Sequence, residues 1–136
     1  MSKCGAFESA VAIGFTAFVF SQAALADAPE IPSSEPLSAS EIVALLSGRT
    51  FEFTGYDEPI VGKTNWNFDA GKVTGTYVWD GSKAGEFDVD AFINDENQLC
   101  TVQSSGTVCQ VVYEYESGFM EVTPSGEVHA VSVPLD

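Results

Sequence analysis

The segment 97–116, NQLCTVQSSGTVCQVVYEYE, constrains the fold more than any other part of the chain. Two β-prone runs, residues 99–103 and 107–115, flank Ser104-Ser105-Gly106 and read as a hairpin. With Ser104 and Ser105 as a two-residue loop, Gln103 faces Gly106. Counting outward, Cys100 then faces Cys109 in a non-hydrogen-bonded pair. Such a pair brings Cα atoms to about 4.5 Å, and a disulfide spans ~4.4–6.8 Å. A Cys100–Cys109 disulfide across the hairpin is therefore expected.

A cross-link of this kind belongs to an oxidising compartment, and the first 26 residues have the composition that leads there. Lys3 and the amino terminus are basic, residues 10–20 (AVAIGFTAFVF) form an apolar run, and Ala24-Leu25-Ala26 is an A-x-A cleavage site. Residues 1–26 are expected to be a secretory signal peptide, and Cys4 to leave with it. A membrane anchor over residues 9–26 has only the minimum length for a span. It also lacks a basic stop-transfer flank, since DAPE follows. Cleavage removes one acid, Glu8, and one base, Lys3, so the net charge stays at −15. That balance excludes the basic patch of a nucleic-acid binder. No stable membrane insertion is expected after processing, and the product is expected to be periplasmic or secreted.

Residues 27–36 carry Pro29, Pro32 and Pro36 without an apolar period and read as a Pro-rich linker. Residues 37–136 are expected to form a single β-domain. It opens on one short N-terminal helix over residues 37–48. Ser38 and Glu41 match the S-x-x-E capping box, Ile42, Val43, Leu45 and Leu46 make an apolar face, and Gly48 stands at C′. After Gly48 the period becomes two. Phe51 and Phe53, then Thr64, Trp66 and Phe68, then Phe87, Val89 and Ala91 alternate with polar residues. Turn signals at 69–72, 80–81, 94–97 and 123–126 divide the rest into about eight short strands. The fold class is mainly β: a small antiparallel barrel or sandwich, each strand with one buried and one wet face.

The run 67–75, NFDAGKVTG, resembles the F-x-x-(D/N)-G-x-x-x-G turn of small exported proteobacterial β-domains. Those continue with G-x-W, then L-C, then a second cysteine one hairpin later. Here Gly85-Glu86-Phe87, Leu99-Cys100 and Cys109 stand in those places. The resemblance covers about residues 37–120 and departs at Phe87 and in the length of the cysteine loop. It implies a lipocalin-like barrel shape and export, and it transfers no catalytic residue.

Gly62-Lys63-Thr64 lacks the upstream glycine of a phosphate loop, because Asp57 holds that place. His129, the one histidine, reads as a packed or solvent-facing side chain, since no nucleophile is marked beside it. One histidine and a paired cysteine set do not make a zinc site. No catalytic residue, metal or cofactor is expected. Glu86, Asp88 and Asp90 project from one strand face at ~6.6 Å intervals. With Asp95 and Glu96 they form the candidate face for a partner, or for Ca²⁺ through oxygen ligands. The plainer reading is a solvated face that keeps a sheet edge from aggregating. Trp66, Phe68, Tyr77, Trp79, Phe87, Phe92, Tyr113 and Tyr115 suit either a cavity wall or a filled core, and a filled core is the expectation. The chain therefore reads as an exported, acidic, non-enzymatic β-domain that binds a partner, a basic protein fitting its charge best. The alternatives are a small apolar-ligand carrier of lipocalin-like type and a hydrolase using paired carboxylates such as Asp88 and Asp90.

Overall fold

The computed structural model describes residues 27–135. The expected leader and Cys4 lie outside them. Residues 27–36 contain no helix or strand. Among the described residues one helix, α1 (Ala39–Leu46), precedes eight strands: β1 (Thr50–Gly55), β2 (Ile60–Asn67), β3 (Lys72–Trp79), β4 (Lys83–Ile93), β5 (Gln98–Gln103), β6 (Gly106–Tyr115), β7 (Gly118–Val122) and β8 (Val128–Pro134). Two strands start earlier than alternation marks them. β2 takes in Ile60 to Lys63, where a glycine and a lysine interrupt the apolar period, and β4 takes in Lys83 to Gly85 ahead of the Glu86 to Ala91 alternation.

Every strand pairs antiparallel with its sequence neighbour, and β1 also pairs with β8, from Phe51 opposite Pro134 to Gly55 opposite Ala130. That last ladder closes the sheet into a barrel and leaves no free edge. The cysteine hairpin has the expected register, with Gln103 opposite Gly106 and Cys100 opposite Cys109. The two cysteines are bonded at a Cα separation of 4.0 Å.

Up-and-down connectivity sorts the connections to two ends. The β2–β3, β4–β5 and β6–β7 turns lie at one end with α1, and the β1–β2, β3–β4, β5–β6 and β7–β8 turns lie at the other. The helix closes its end. Ser38 caps it with a full capping box: Glu41 N–H donates to Ser38 Oγ at 3.3 Å and Ser38 N–H donates to Glu41 Oε1 at 2.9 Å. Gly48 follows at φ +73°, a left-handed conformation natural to glycine, and its N–H donates to Trp66 O at 3.0 Å. At the helix start, Ala39 N–H donates to Asn97 Oδ1 and Leu37 N–H donates to Val112 O. Both ends of the helix are thus tied to opposite walls of the barrel.

Below the helix the barrel is full. Ile42 and Leu46 pack on Phe51, Trp66, Val73, Ala91, Leu99, Val112 and Phe119. Phe119 meets Phe51 edge-on at 5.0 Å and Trp66 edge-on at 6.3 Å, the favoured aromatic arrangement. The expected alternation fails at β7, which is buried on both faces. Phe119 belongs to the interior, while Met120 and Val122 join Val128, Tyr56, Val111, Tyr113, Tyr115 and Val131 in a second apolar cluster. A bulge between Glu121 and Val122 turns β7 against β8, so that Val122 pairs with Val128 while Glu121 pairs with Ala130.

Candidate functional site: the barrel cavity

The other half of the barrel is hollow, which corrects the expectation of a filled core. A cavity of about 980 Å³ runs from Trp66 and Val73 up to the turn residues Asp57, Glu58, Ser104, Ser105 and Pro124. Its mouth is therefore at the end opposite α1. The apolar wall is Phe53, Trp66, Tyr77, Trp79 and Phe87, with Ile60, Val89 and Val108. Of the aromatic set expected to share one environment, four residues reach the cavity. Phe68 stacks on Trp66 at 5.9 Å beside the plug, Phe92 projects outward, and Tyr113 and Tyr115 cover the outer cluster on β7. Three of the eight rings, Phe92, Tyr113 and Tyr115, thus face away from the barrel interior.

The space exists because the inner face of the neighbouring strands alternates rings with glycines. Phe53 sits opposite Gly62, Gly62 opposite Tyr77, and Tyr77 opposite Gly85; Gly75 sits opposite Phe87. Each ring lies over the backbone of its glycine partner. A β-carbon at Gly62 would come within 2.8 Å of the Phe53 ring, and one at Gly75 within 2.7 Å of the Phe87 ring. Rings laid against glycines hold the wall together and keep side-chain volume out of the centre.

Polar groups punctuate this wall. Trp66 Nε1–H donates to Thr64 Oγ1 at 3.1 Å, and Ser132 is buried. Gln110 is 5% exposed, lines the cavity, and leaves its Oε1 without a hydrogen-bond partner. At the mouth, His129 Nδ1 lies 3.0 Å from Asp57 Oδ1 and 3.1 Å from Oδ2. Glu121 lines the same region. Burial raises the Glu121 carboxyl above the ordinary glutamate range; the charge of His129 opposes that shift and the charge of Asp57 adds to it. Burial works to lower His129, but the charge of Glu121, the hydrogen bond and charge of Asp57, and the charge of Glu58 outweigh it and hold the imidazole above its usual range. In the sequence His129 reads only as a packed or solvent-facing side chain, and nothing there marks Gln110, Glu121 or the pairing of Asp57. Asp57 and His129 are 72 residues apart, and Glu121 sits on a strand whose alternation is masked.

The acids singled out from sequence lie elsewhere. Glu86, Asp88 and Asp90 run along the outer face of β4, although Glu86 also borders the cavity. Lys72, on β3, reaches Asp90 at 3.0 Å and Asp88 at 3.5 Å, and the hydrogen bond and charge of Asp90, with the charge of Asp88, raise its pKa. Asp88 and Asp90 thus share one lysine on an open surface, not a cleft with unlike environments. Asp95 and Glu96 are in the β4–β5 turn, where Asn94 Oδ1 accepts from Glu96 N–H and Gln98 N–H. Among the described residues no group of three or more His, Cys, Asp or Glu is placed to hold a metal ion. No helix among them is long and apolar enough to cross a membrane.

The run resembling the F-x-x-(D/N)-G turn forms the β2–β3 connection, where Phe68 and Gly71 stand one residue closer than that pattern requires. Comparison with protein-family models, with curated proteins and with solved structures found no match.

Proposed function

We propose that the protein binds a small apolar molecule inside its barrel. The observation that carries this reading is the cavity of about 980 Å³ with five aromatic side chains in its wall. Ligand sites commonly enclose ~300–1,000 Å³ of mostly apolar wall with a few polar groups, and this cavity has that make-up. The disulfide favours work in an oxidising compartment, periplasmic or extracellular. Both tryptophans of the chain, Trp66 and Trp79, line the space, so their fluorescence reports occupancy. Titration with Nile red should quench them saturably at one probe per chain. Val108→Trp, which fills the wall near the mouth, should weaken the probe at least tenfold while circular dichroism shows the barrel intact. If the probe fails to saturate, or binds the Val108 variant equally well, the reading is wrong.

A second reading rests on Phe92, which is 44% exposed on the same outer face of β4 as Glu86, Asp88 and Asp90. An exposed aromatic beside a charged row has the composition of an interface anchor and rim. Under it a basic protein docks on β4. Reversing the three acids to lysine should slow association with such a protein and flatten its salt dependence. Unchanged capture of cationic proteins by both forms at low salt removes this reading.

A further inference from the structure

We infer that the occupant of the barrel is an aromatic or alkyl compound carrying a protonated amine, and not a fatty-acid-like carboxylate. This rests on the cavity being a binding site, and it assigns that site a chemical class. Three separate features of the wall select against an anion and for a cationic donor.

The first is charge. The acidic and basic side chains lining the cavity are Asp57 and Glu58 from the β1–β2 loop, Lys83 and Glu86 from β4, Glu121 from β7 and His129 from β8, with the phenol of Tyr77 from β3 beside them. Four acids face two bases, and one of the bases, His129, is already bound to Asp57. Among the described residues Glu58, Glu86 and Glu121 have no salt bridge, and Glu121 is the most buried of the three, so an ammonium group placed beside it gains an opposite charge in a partly dry setting. A carboxylate at the same place meets like charge.

The second is the buried Oε1 of Gln110, an acceptor with no donor. An unmatched buried acceptor is costly, and the terminal amide torsion is soft enough to turn Oε1 toward the cavity. An ammonium or a hydroxyl supplies the missing donor; a carboxylate has none. The third is the five aromatic side chains, whose negative ring faces attract a cation.

The test uses three probes with one apolar body: naphthylmethylamine, naphthylmethanol and naphthylacetate, titrated near neutral pH into the protein and followed by tryptophan quenching. The amine should bind at least tenfold tighter than the acetate, with the alcohol between them. Glu121→Gln should bring the amine to about the affinity of the alcohol, and Gln110→Met should weaken amine and alcohol together while sparing the acetate. A variant with Asp88 and Asp90, which face away from the cavity, changed to lysine keeps the preference if the amine sits inside. Acetate binding as tightly as the amine overturns the inference and leaves the cavity reading standing. An amine preference that survives Glu121→Gln but vanishes in the lysine variant also overturns it, by placing the amine outside. Failure of all three probes to bind defeats the cavity reading itself.

Discussion

Tyr77 lies across Gly85, its direct partner on the next strand, with its ring where a β-carbon at position 85 would sit. The pair belongs to a row, Phe53, Gly62, Tyr77, Gly85, that crosses four strands on the inner face. The row decides that this half of the barrel is hollow.

Gly85→Ala should therefore destabilise the barrel by about 1–3 kcal/mol, the cost of overpacking. The same change in a Tyr77→Ala background should cost much less, because the clash is with a side chain. Gly75→Ala should cost more than Gly85→Ala, since its β-carbon meets the carbonyl oxygen of Lys63, which cannot rotate away. Urea denaturation of the four variants measures the ordering. Equal costs for Gly85→Ala in both backgrounds would contradict the packing described.

The plug end predicts a different contrast. Leu46 is fully buried against the interior, whereas Val43 is exposed one turn away on α1. Leu46→Ala should cost ~2–5 kcal/mol. Val43→Ala should stay within about 0.5 kcal/mol, as surface changes usually do. Thermal or chemical unfolding distinguishes the two.

Replacing Cys100 and Cys109 together by alanine should lower stability by about 2–3 kcal/mol, because the closed loop is short. The barrel should persist, since the ladder between β5 and β6 extends over six pairs. Circular dichroism and denaturation check both parts. Thiol titration of the oxidised protein should find no free thiol among residues 27–135, whose only cysteines are these two.

The mouth cluster sets a pH dependence. Glu121 and His129 both bind protons more tightly in the folded chain than at their ordinary values of 4.5 and 6.5. A group with a raised folded pKa adds stability below its unfolded pKa and loses that contribution as pH rises through the folded value. The stabilisation from His129 is therefore complete below pH 6.5 and fades above it. The Glu121 carboxyl likewise favours the fold below 4.5, and that contribution falls as pH rises. In denaturation series from pH 5 to pH 9, the stability advantage of wild type over His129→Gln should shrink as pH increases. An advantage that grows with pH would show that the imidazole is held neutral instead.

Much of the architecture was legible along the chain. Local chemistry wrote the capping box at Ser38 and Glu41, the turn at Ser104-Ser105, and with it the Cys100–Cys109 register, because each depends on residues within a few positions of one another. Alternation marked the strand pattern and the outward row Glu86, Asp88, Asp90. It did not separate an inward ring from an outward one beyond a single strand. Trp66 and Tyr113 look alike in sequence, yet one lines the cavity and the other covers β7 from outside.

By itself the sequence determined a mainly β chain, its helix cap, its hairpin cross-link and its acidic balance, all of them short-range or compositional. Only the tertiary structure decided the rest. The pairing of β1 with β8 chose a barrel over a sandwich by joining the two ends of the domain. That closure set Phe53 and Tyr77 against glycines on adjacent strands, brought Asp57 to His129 across 72 residues, and left Gln110 with an unmatched acceptor. A cavity and its charges arise from which strand faces are brought together around a closed sheet, and no local pattern in the chain carries that information.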